Sequence, residues 1–345
     1  MSADVAALAG ALLRDQGVAA RVSAHRECRG GKNNRVVRLE TDAGPFVAKL
    51  YFTHEADPRD RLRSEYGFLE YARRLGMGSV PAPVAADPGQ RLAVYTWIDG
   101  APLGPGSIEF GHVQQAIAFF RALNGPSRHL AEGLPPASEA CFSIAQHVRL
   151  VEGRLDRLRR MPVEAPVDQE ALALVDDISR ASEEVKRWLE RAAARARMDP
   201  DEPLEATDRC VSPSDFGFHN ALLRPNGDVV FLDFEYAGWD DPAKAIGDFF
   251  CQPQVPVDRR WFADVAEAFT AHSREGTRLV RRAQLLLPVI QVKWCLIRLN
   301  EFTPDALRRR LFAVPECDVA AMKRERLEQT RAALAAALSD LDRLD

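Results

Sequence analysis

The stretch VSPSDFGFHNALL, residues 211–223, combines polar side chains with apolar anchors, and the interpretation of the whole chain depends on it. Asp215 and Asn220 lie five positions apart between phenylalanine and leucine side chains, and a second carboxylate, Asp233, follows in the apolar run FLDFE. Carboxylate and amide oxygens are the donors that Mg²⁺ prefers, usually one or two of them together with phosphate oxygens. Taken singly, Asp215 is equally typical of a helix or turn cap, and Asp233 of a turn residue at a strand end.

Length and composition narrow the class of protein. A chain of 345 residues is too long to fold around one small hydrophobic core, so two domains or lobes are expected. A hydrophobic content of 46% with 28% charged residues is typical of a soluble globular protein. The net charge of -4 gives no electrostatic reason for nucleic acid to be the main partner.

The cysteines and the lengths of the apolar runs indicate which cellular compartment to expect for the protein. The six cysteines are scattered and contain no Cys-x-x-Cys pair, which argues against a zinc site or a disulfide scaffold and favours a reducing compartment. No run approaches the roughly 18 uninterrupted apolar residues that a membrane span requires. The N-terminal residues predict an amphipathic helix rather than a targeting segment, because Arg14 and Asp15 interrupt their apolar run. We therefore expect a cytoplasmic protein with no membrane partner.

The N-terminal part of the chain reads as a small β-rich region. Asp42-Ala43-Gly44 predicts a hairpin turn between two strands, and Gly76 is typical of a left-handed residue that ends a helix. The stretch APLGPG after Gly100 is the best candidate for a hinge between lobes. The predicted elements are strands over 35–41, 45–52 and 91–98 and a helix over about 58–75.

The rest of the chain is predicted to be mainly helical. Residues 143–200 predict a helical hairpin broken at Pro162 and Pro166, and a last helix begins at Asp318. The first arm of the hairpin carries a heptad stripe that would pack inside the domain or form a dimer seam, so the oligomeric state stays open. The stripe consists of Ile144, Val148, Val151, Leu155 and Leu158.

Lys49 is unusual because it lies in the middle of the apolar strand PFVAKLYF. The period-two pattern places Val47, Lys49 and Tyr51 on one face of this strand. A lysine there must either extend to water or meet an anion. The following helix offers Glu65, which lies beside the apolar Leu62/Leu69 stripe, and Glu70, which lies further from it.

Two glycines precede the first strand of the β-rich region. Gly30 and Gly31, in GGKNNRVVRLE, would permit the close backbone approach that a phosphate-covering loop needs. The same residues are equally typical of a surface turn.

In this order, the motifs resemble those of the aminoglycoside phosphotransferase family, the small-molecule kinases that share the protein-kinase-like fold. The kinase pattern consists of a glycine loop, a strand lysine, a helix glutamate, an aspartate with an asparagine five residues on, and a metal-binding aspartate. The resemblance covers roughly residues 20–300. It implies an α+β, bilobal fold with a small β-rich N-lobe over 1–100 that binds nucleotide. A larger, mainly helical C-lobe over 101–345 would carry catalysis and substrate binding and contain the 143–200 hairpin.

The resemblance also assigns roles to single residues. Asp215 would orient the substrate hydroxyl and accept its proton, and Asn220 and Asp233 would hold Mg²⁺ against the triphosphate of ATP. Lys49 would grip the α- and β-phosphates and pair with Glu65. The glycine loop would be Gly30-Gly31.

The adenine pocket follows from the same resemblance. The backbone around Tyr95, Thr96 and Trp97 resembles the family hinge that reads the edge of the base. Val47, two residues before the lysine, would pack on the base.

The chain also departs from the family pattern. The family usually has His-Gly-Asp at the catalytic loop, where its histidine mainly supports the loop, and here these positions are Pro213-Ser214-Asp215. His219 is assigned no role beyond packing or capping. Glu235 would contact a second metal or be solvated, and Asp248 would be the buried aspartate that supports the loop or an N-cap.

Acceptor binding is the least defined part of the site. Trp294, Arg298 and Glu301 are predicted to follow one helix face, where an aromatic ring and a carboxylate could hold a polyhydroxy or cationic substrate. A buried tryptophan beside a surface ion pair explains the same residues.

The sequence thus predicts an ATP- and Mg²⁺-dependent phosphotransferase that acts on a hydroxyl of a small molecule, such as an aminoglycoside, a sugar or an amino alcohol. The alternative is a catalytically inactive nucleotide-binding pseudokinase that acts as a regulator or scaffold, and the Pro213-Ser214 departure is its support. A protein substrate is disfavoured because only a short run follows Asp233 before the next helix.

Overall fold

The computed structural model describes residues 4–28, 34–54, 57 and 59–344. By their internal contacts these residues form two compact units: the first within 1–138, 211–239 and 309–315, the second within 139–210, 240–308 and 316–345. The first unit thus extends past residue 100 and includes the segment that carries Asp215 and Asp233. The boundary between lobes near residue 100 stays a prediction.

A five-stranded antiparallel sheet forms the β-rich part of the first unit. Its strands are β1 (Val22–Glu27), β2 (Arg35–Thr41), β3 (Gly44–Leu50), β4 (Pro83–Asp87) and β5 (Leu92–Thr96), in the spatial order β1-β2-β3-β5-β4. The predicted turn between β2 and β3 is present, with Thr41 paired to Gly44 and a φ of 103° at Gly44 that suits glycine.

Two helices pack with this sheet. Helix α1 (Val5–Asp15) shares a core with Ala48 and Leu50 of β3, so the opposite face of β3 carries Lys49, as the period-two pattern predicted. Helix α2 (Arg61–Arg74) begins after its N-cap Asp60, three residues later than Pro58. It ends as predicted, since Gly76 has a φ of 72° and the Met77 amide donates to the Ala72 carbonyl.

The remainder of the first unit carries the catalytic-loop segment. Strands β6 (Ala101–Pro102), β8 (Ala221–Leu223) and β9 (Val229–Phe231) form an antiparallel sheet in that order, next to helix α3 (Phe110–Leu123). The stretch predicted as a hinge therefore begins with a paired strand inside the unit. A Cβ at Gly100 would lie 2.9 Å from Cβ of Leu222, so only glycine allows this approach. Strands β7 (Cys210–Ser212) and β10 (Gly238–Asp240) carry the chain across the unit boundaries.

The second unit is helical. Helices α4 (Ile144–Arg159) and α5 (Pro166–Ala196) form the predicted hairpin, and both contact the central helix α8 (Gly276–Arg298). The heptad stripe of α4 is mostly buried in these contacts, so it packs inside the unit rather than forming an exposed seam. The other helices are α6 (Pro242–Cys251), α7 (Phe262–Thr270), α9 (Pro304–Ala313), which lies across a unit boundary, and α10 (Val319–Asp342), which begins after the N-cap Asp318.

Short 3-10 helices complete the secondary structure at Pro126–Ala131, Ala206–Asp208, Phe218–Asn220, Arg259–Trp261 and Asn300–Phe302. Among the described residues, no helix is both long enough and apolar enough to cross a membrane.

Candidate active site

Lys49 lies at the centre of a buried ion network. Its Nζ is 2.6 Å from Oε1 of Glu65 and 2.9 Å from Oδ1 of Asp233, and only 12% of its side chain is exposed. Burial alone would lower the pKa of Lys49, but the carboxylates of Asp233 and Glu65 raise it above its ordinary value. The ammonium group therefore stays charged and meets an anion instead of extending to water.

Glu65, and not Glu70, is the partner from α2. Glu65 is almost fully buried, whereas Glu70 pairs with Arg73 at the surface. The Tyr51 hydroxyl lies 2.6 Å from Oε2 of Glu65 and 2.7 Å from the hydroxyl of Tyr95. Burial and the charge of Glu65 raise the pKa of Tyr51 well above its ordinary value, so this hydroxyl stays a donor. The only sign of this tyrosine pair in the sequence is the strand face that Tyr51 shares with Lys49.

The catalytic loop starts from a strand that is held by a buried side chain. Asn124, the C-cap of α3, donates from Nδ2 to the Val211 carbonyl and accepts the Val211 amide at Oδ1, with distances of 2.9 and 2.8 Å. Ser214 then adopts a left-handed backbone with a φ of 67°, and its amide donates to Oγ of Ser212. The position that the family fills with glycine thus keeps a glycine-like conformation here, which places a strained residue directly before Asp215.

Asp215 is held at its side chain and at its main chain. Nε2 of His219 lies 3.1 Å from Oδ1 of Asp215, and Nδ2 of Asn220 donates to the Asp215 carbonyl at 3.0 Å. One third of the Asp215 side chain is exposed. His219, to which the sequence assigned only packing or capping, therefore contacts the residue that was predicted to be the base.

Asn220 and Asp233 are brought together by the β8–β9 hairpin. Ala221 pairs with Phe231, and one step further the Leu232 amide donates to the Asn220 carbonyl at 2.8 Å. Asp233 follows at once with a φ of 65°, a strained backbone for an aspartate. The register of this hairpin therefore places the two residues at the same end of it.

This pair of side chains suits Mg²⁺. The Asn220 amide nitrogen is already bonded, which leaves Oδ1 as its ligand atom, and Lys49 contacts only Oδ1 of Asp233. Among the described residues, no group of three or more His, Cys, Asp and Glu could hold a metal ion. One carboxylate and one amide match a cation that completes its coordination with phosphate and water oxygens.

The residues predicted to contact adenine lie on the neighbouring strands β3 and β5 and directly after β5. Val47 and Tyr95 are paired across β3 and β5, and the side chain of Tyr95 is buried. The amides of Thr96 and Trp97 donate to the carbonyls of Ala82 and Pro45. These two amides are therefore not available to hydrogen-bond an adenine base. Gly30 and Gly31 lie outside the described residues.

Glu235 is buried, so the expectation of a solvated glutamate is wrong. Its Oε2 accepts from Nδ2 of Asn34, and it lies 3.8 Å from Nε of the buried Arg61. Burial, followed by the charge of Asp233, raises the pKa of Glu235 to about 7. Glu235 thus links the start of β2 with the start of α2, a role that the sequence pattern does not reveal.

The predicted acceptor residues lie in the second unit. Helix α8 ends at Arg298 and Glu301 belongs to the following 3-10 helix, so the prediction that Trp294, Arg298 and Glu301 share one helix face is wrong. The backbone tightens directly after α8, without a glycine or proline that could mark the change. Burial lowers the pKa of Arg298, whose Nε has no partner among the described residues.

Asp248 lies within α6, whose N-cap is Asp241, so the N-cap interpretation of Asp248 is wrong. Oδ1 of Asp248 accepts from Trp294 at 2.7 Å and from Lys293 at 2.5 Å, and its Oδ2 is 3.4 Å from Nζ of Lys244. Trp294 is thereby tied to a buried ion network. This network accounts for the tryptophan without a ligand.

Comparison with known proteins gives a family match and several structures of the same fold. A family model described as the phosphotransferase enzyme family matches residues 25–283. A choline/ethanolamine kinase family protein from Mesorhizobium loti is 18% identical, with a TM-score of 0.58 over 97% of this chain and 98% of that one. Ethanolamine kinase from Plasmodium vivax is 13% identical, with a TM-score of 0.56 over 91% and 83% of the two chains.

Spectinomycin phosphotransferase, solved with ADP and spectinomycin, is 10% identical, with a TM-score of 0.53 over 95% of this chain and 98% of that one. At these identities the likeness establishes the fold, and it confirms the predicted α+β, protein-kinase-like class. No curated protein sequence matches the chain.

Proposed function

The chain belongs to the phosphotransferase enzyme family, and from this premise we propose that it transfers the γ-phosphoryl group of ATP to a hydroxyl of a small molecule with the help of Mg²⁺. The observation that carries the proposal is the ion network in which Lys49 bridges Glu65 and Asp233. Such a charged lysine beside a carboxylate suits the grip on a polyphosphate that this chemistry needs.

Asn220 and Asp233 are the residues that would hold the Mg²⁺ ion. A bound ion of this kind neutralises charge on phosphate oxygens. Lys49 would bind the α- and β-phosphates, since its ammonium group is kept charged and is fixed in position by two carboxylates. Phosphoryl transfer asks a protein mainly for positioning and charge neutralisation, and these residues supply both.

Asp215 would act as the base. Its carboxylate is partly exposed, as a group that meets a substrate hydroxyl must be, and it is fixed by hydrogen bonds from consecutive residues, His219 and Asn220. It would accept the proton of the acceptor hydroxyl as the oxygen attacks the γ-phosphorus. Because the chain keeps the residues proposed as base, lysine and both metal ligands, we favour an enzyme over the inactive pseudokinase.

The nucleotide base would lie against Val47, at the edge of β5. Because the Thr96 and Trp97 amides are already bonded, we assign recognition of the adenine edge to the next amide, Ile98, which makes no hydrogen bond with the described residues. The ADP bound to spectinomycin phosphotransferase supports a nucleotide in this fold.

The acceptor would be a small hydroxyl compound. Only eight residues separate Asp233 from the start of α6 at Pro242, which leaves little room for a segment that docks a peptide. The related structures are named for ethanolamine, choline and spectinomycin, so amino alcohols and aminocyclitol sugars are the first classes to test. The six cysteines are free thiols, which supports a reducing, cytoplasmic location.

A transfer screen tests the proposal. The protein is incubated with γ-labelled ATP and a panel of polyols, amino sugars and amino alcohols, and labelled product is measured with Mg²⁺ or with EDTA. We expect one class to be labelled only with Mg²⁺, and Asp215→Asn to lose labelling while it still binds ATP. ATP binding without transfer to any acceptor and without hydrolysis would instead support the pseudokinase.

A further inference from the structure

His219 is a buried histidine of the catalytic loop. The loop-supporting histidine of the family pattern is replaced by Pro213, and the only histidine of the loop lies four residues after Asp215. Its side chain is 4% exposed, compared with 33% for Asp215. A buried histidine thus contacts a partly exposed carboxylate at the point where the proposed chemistry takes place.

The geometry fixes which nitrogen carries the proton. Nε2 lies 3.1 Å from Oδ1 of Asp215, and an ionised carboxylate can only accept, so we assign the proton to Nε2. Nδ1 is buried and has no partner among the described residues. Because a buried N–H without a partner is rarer and more costly than a buried lone pair, a ring with its proton on Nε2 and none on Nδ1 fits this pocket.

The hydrogen bond from His219 adds a constraint that the loop backbone does not provide. Asn220 acts on the main chain of Asp215, through its carbonyl, and not on the carboxylate. The imidazole of His219 contacts the carboxylate itself, at Oδ1. Both residues belong to one short 3-10 turn, so the same turn that presents the metal ligand Asn220 also orients the base.

We propose that His219 is a positioning residue that orients the carboxylate of Asp215 toward the acceptor hydroxyl. The proposal rests on the proposed function, since it assigns His219 a role in that same site. A histidine that served only packing would affect stability alone. A positioning histidine affects turnover, because a reacting group that is misplaced by about 1 Å costs about 100-fold in rate.

Two substitutions separate these roles. His219→Leu removes the donor and keeps apolar bulk, whereas His219→Gln keeps an N–H donor at a reach similar to that of Nε2. With the best acceptor of the wild-type protein, we expect His219→Leu to lower kcat about 10- to 100-fold with the KM for ATP changed by less than about threefold. His219→Gln is expected to recover most of the loss.

The second unit offers a matched control. His147 is also buried, and its Nε2 lies 3.1 Å from Oδ2 of Asp241. His147→Leu removes an equivalent bond and should lower stability while the folded protein keeps its kcat. The proposal fails if His219→Leu keeps kcat within about twofold of wild type, or if His219→Gln and His219→Leu lose equal amounts.

A measurement on the unaltered protein covers the case in which His219→Leu does not fold. Long-range ¹⁵N–¹H spectra of the imidazoles should show a proton on Nε2 of His219, and its signals should shift in Asp215→Ala. A proton on Nδ1 alone would overturn the proposal. If the wild-type protein neither transfers phosphate nor hydrolyses ATP, the proposed function fails, whereas an active protein whose spectrum shows an Nδ1–H tautomer refutes only the role of His219.

Discussion

The substitution Tyr51→Phe tests how much the hydrogen bonds around Glu65 contribute to the stability of the protein. The Tyr51 hydroxyl contacts Oε2 of Glu65 at 2.6 Å and the Tyr95 hydroxyl at 2.7 Å, and all three side chains are buried. Loss of a hydrogen bond to a charged group costs about 1.5–3 kcal/mol, and loss of a neutral one costs about 1 kcal/mol. We therefore expect the free energy of unfolding to fall by roughly 2.5–4 kcal/mol, as the sum of these two terms.

The same substitution should weaken ATP binding. Glu65 holds Lys49 at 2.6 Å, so a glutamate that has lost one of its own hydrogen bonds will position the ammonium group less well. We expect the KM for ATP to rise about fivefold, which corresponds to about 1 kcal/mol. Urea unfolding without ATP gives the stability, and initial rates at varied ATP give the KM.

Tyr66→Phe is the matched control for Tyr51→Phe. Tyr66 also lies next to Tyr95, with 6.1 Å between the ring centroids, but its hydroxyl makes no hydrogen bond with the described residues. Its removal should change the free energy of unfolding by less than about 0.5 kcal/mol. If Tyr51→Phe is as mild as Tyr66→Phe, the hydrogen-bonded chain does not stabilise Glu65 and the reasoning is refuted.

Substitutions at three further positions test other parts of the structure. Since Ser214 has a φ of 67°, Ser214→Gly should be about 1 kcal/mol more stable than Ser214→Ala in urea unfolding, and equal stabilities would contradict a left-handed conformation. Asp233→Asn should lower kcat at least about 100-fold and weaken the response to added Mg²⁺ in a transfer assay, and an unchanged Mg²⁺ titration would remove Asp233 from the metal site. The Arg154 guanidinium outweighs burial and lowers the pKa of Glu139 to about 2, so this pairing stabilises the fold above pH 4.5 and is lost as the pH falls through 2. The stability difference between wild type and Arg154→Met, about 3 kcal/mol at neutral pH, should therefore shrink toward pH 2, and a constant difference would argue against the ion pair.

The parts of the site that follow regular periods could be predicted from the sequence. Lys49 was placed by the two-residue period of a strand, and Glu65 by its position beside an apolar helical stripe. Their pairing at 2.6 Å follows from these two periods together. The motif that joins Asp215, Asn220 and Asp233 was visible because its spacing is fixed by a short loop and a hairpin.

The features that escaped prediction depend on irregular backbone or on long-range contacts. The bond from His219 to Asp215 forms in a loop with a left-handed residue at Ser214 and a single 3-10 turn, and neither has a periodic signature. The burial of Glu235 depends on Asn34, which is 201 residues away in the chain. Local pattern carries no information on such pairs.

The end of α8 shows the limit of pattern reading in another way. Helical spacing from Trp294 continues smoothly to Glu301, and no glycine or proline interrupts it. The helix nevertheless ends at Arg298, where the Leu299 amide donates to the Leu296 carbonyl and begins a tighter turn. Residues that the helical period places on one face, Trp294 and Glu301, therefore lie in two different helices.

Asn124 has a consequence for whether the catalytic motif can be moved to another chain. Its side-chain amide satisfies both peptide groups of Val211, as a neighbouring strand would, so the approach to the reactive loop is tied to the end of α3. The connection that follows α3 adds a second tie, because Oγ of Ser214 donates to the Ser138 carbonyl at 3.4 Å. Residues outside the recognised motif thus set the entry to the reactive loop, so a transplant of the motif alone would not carry its geometry with it.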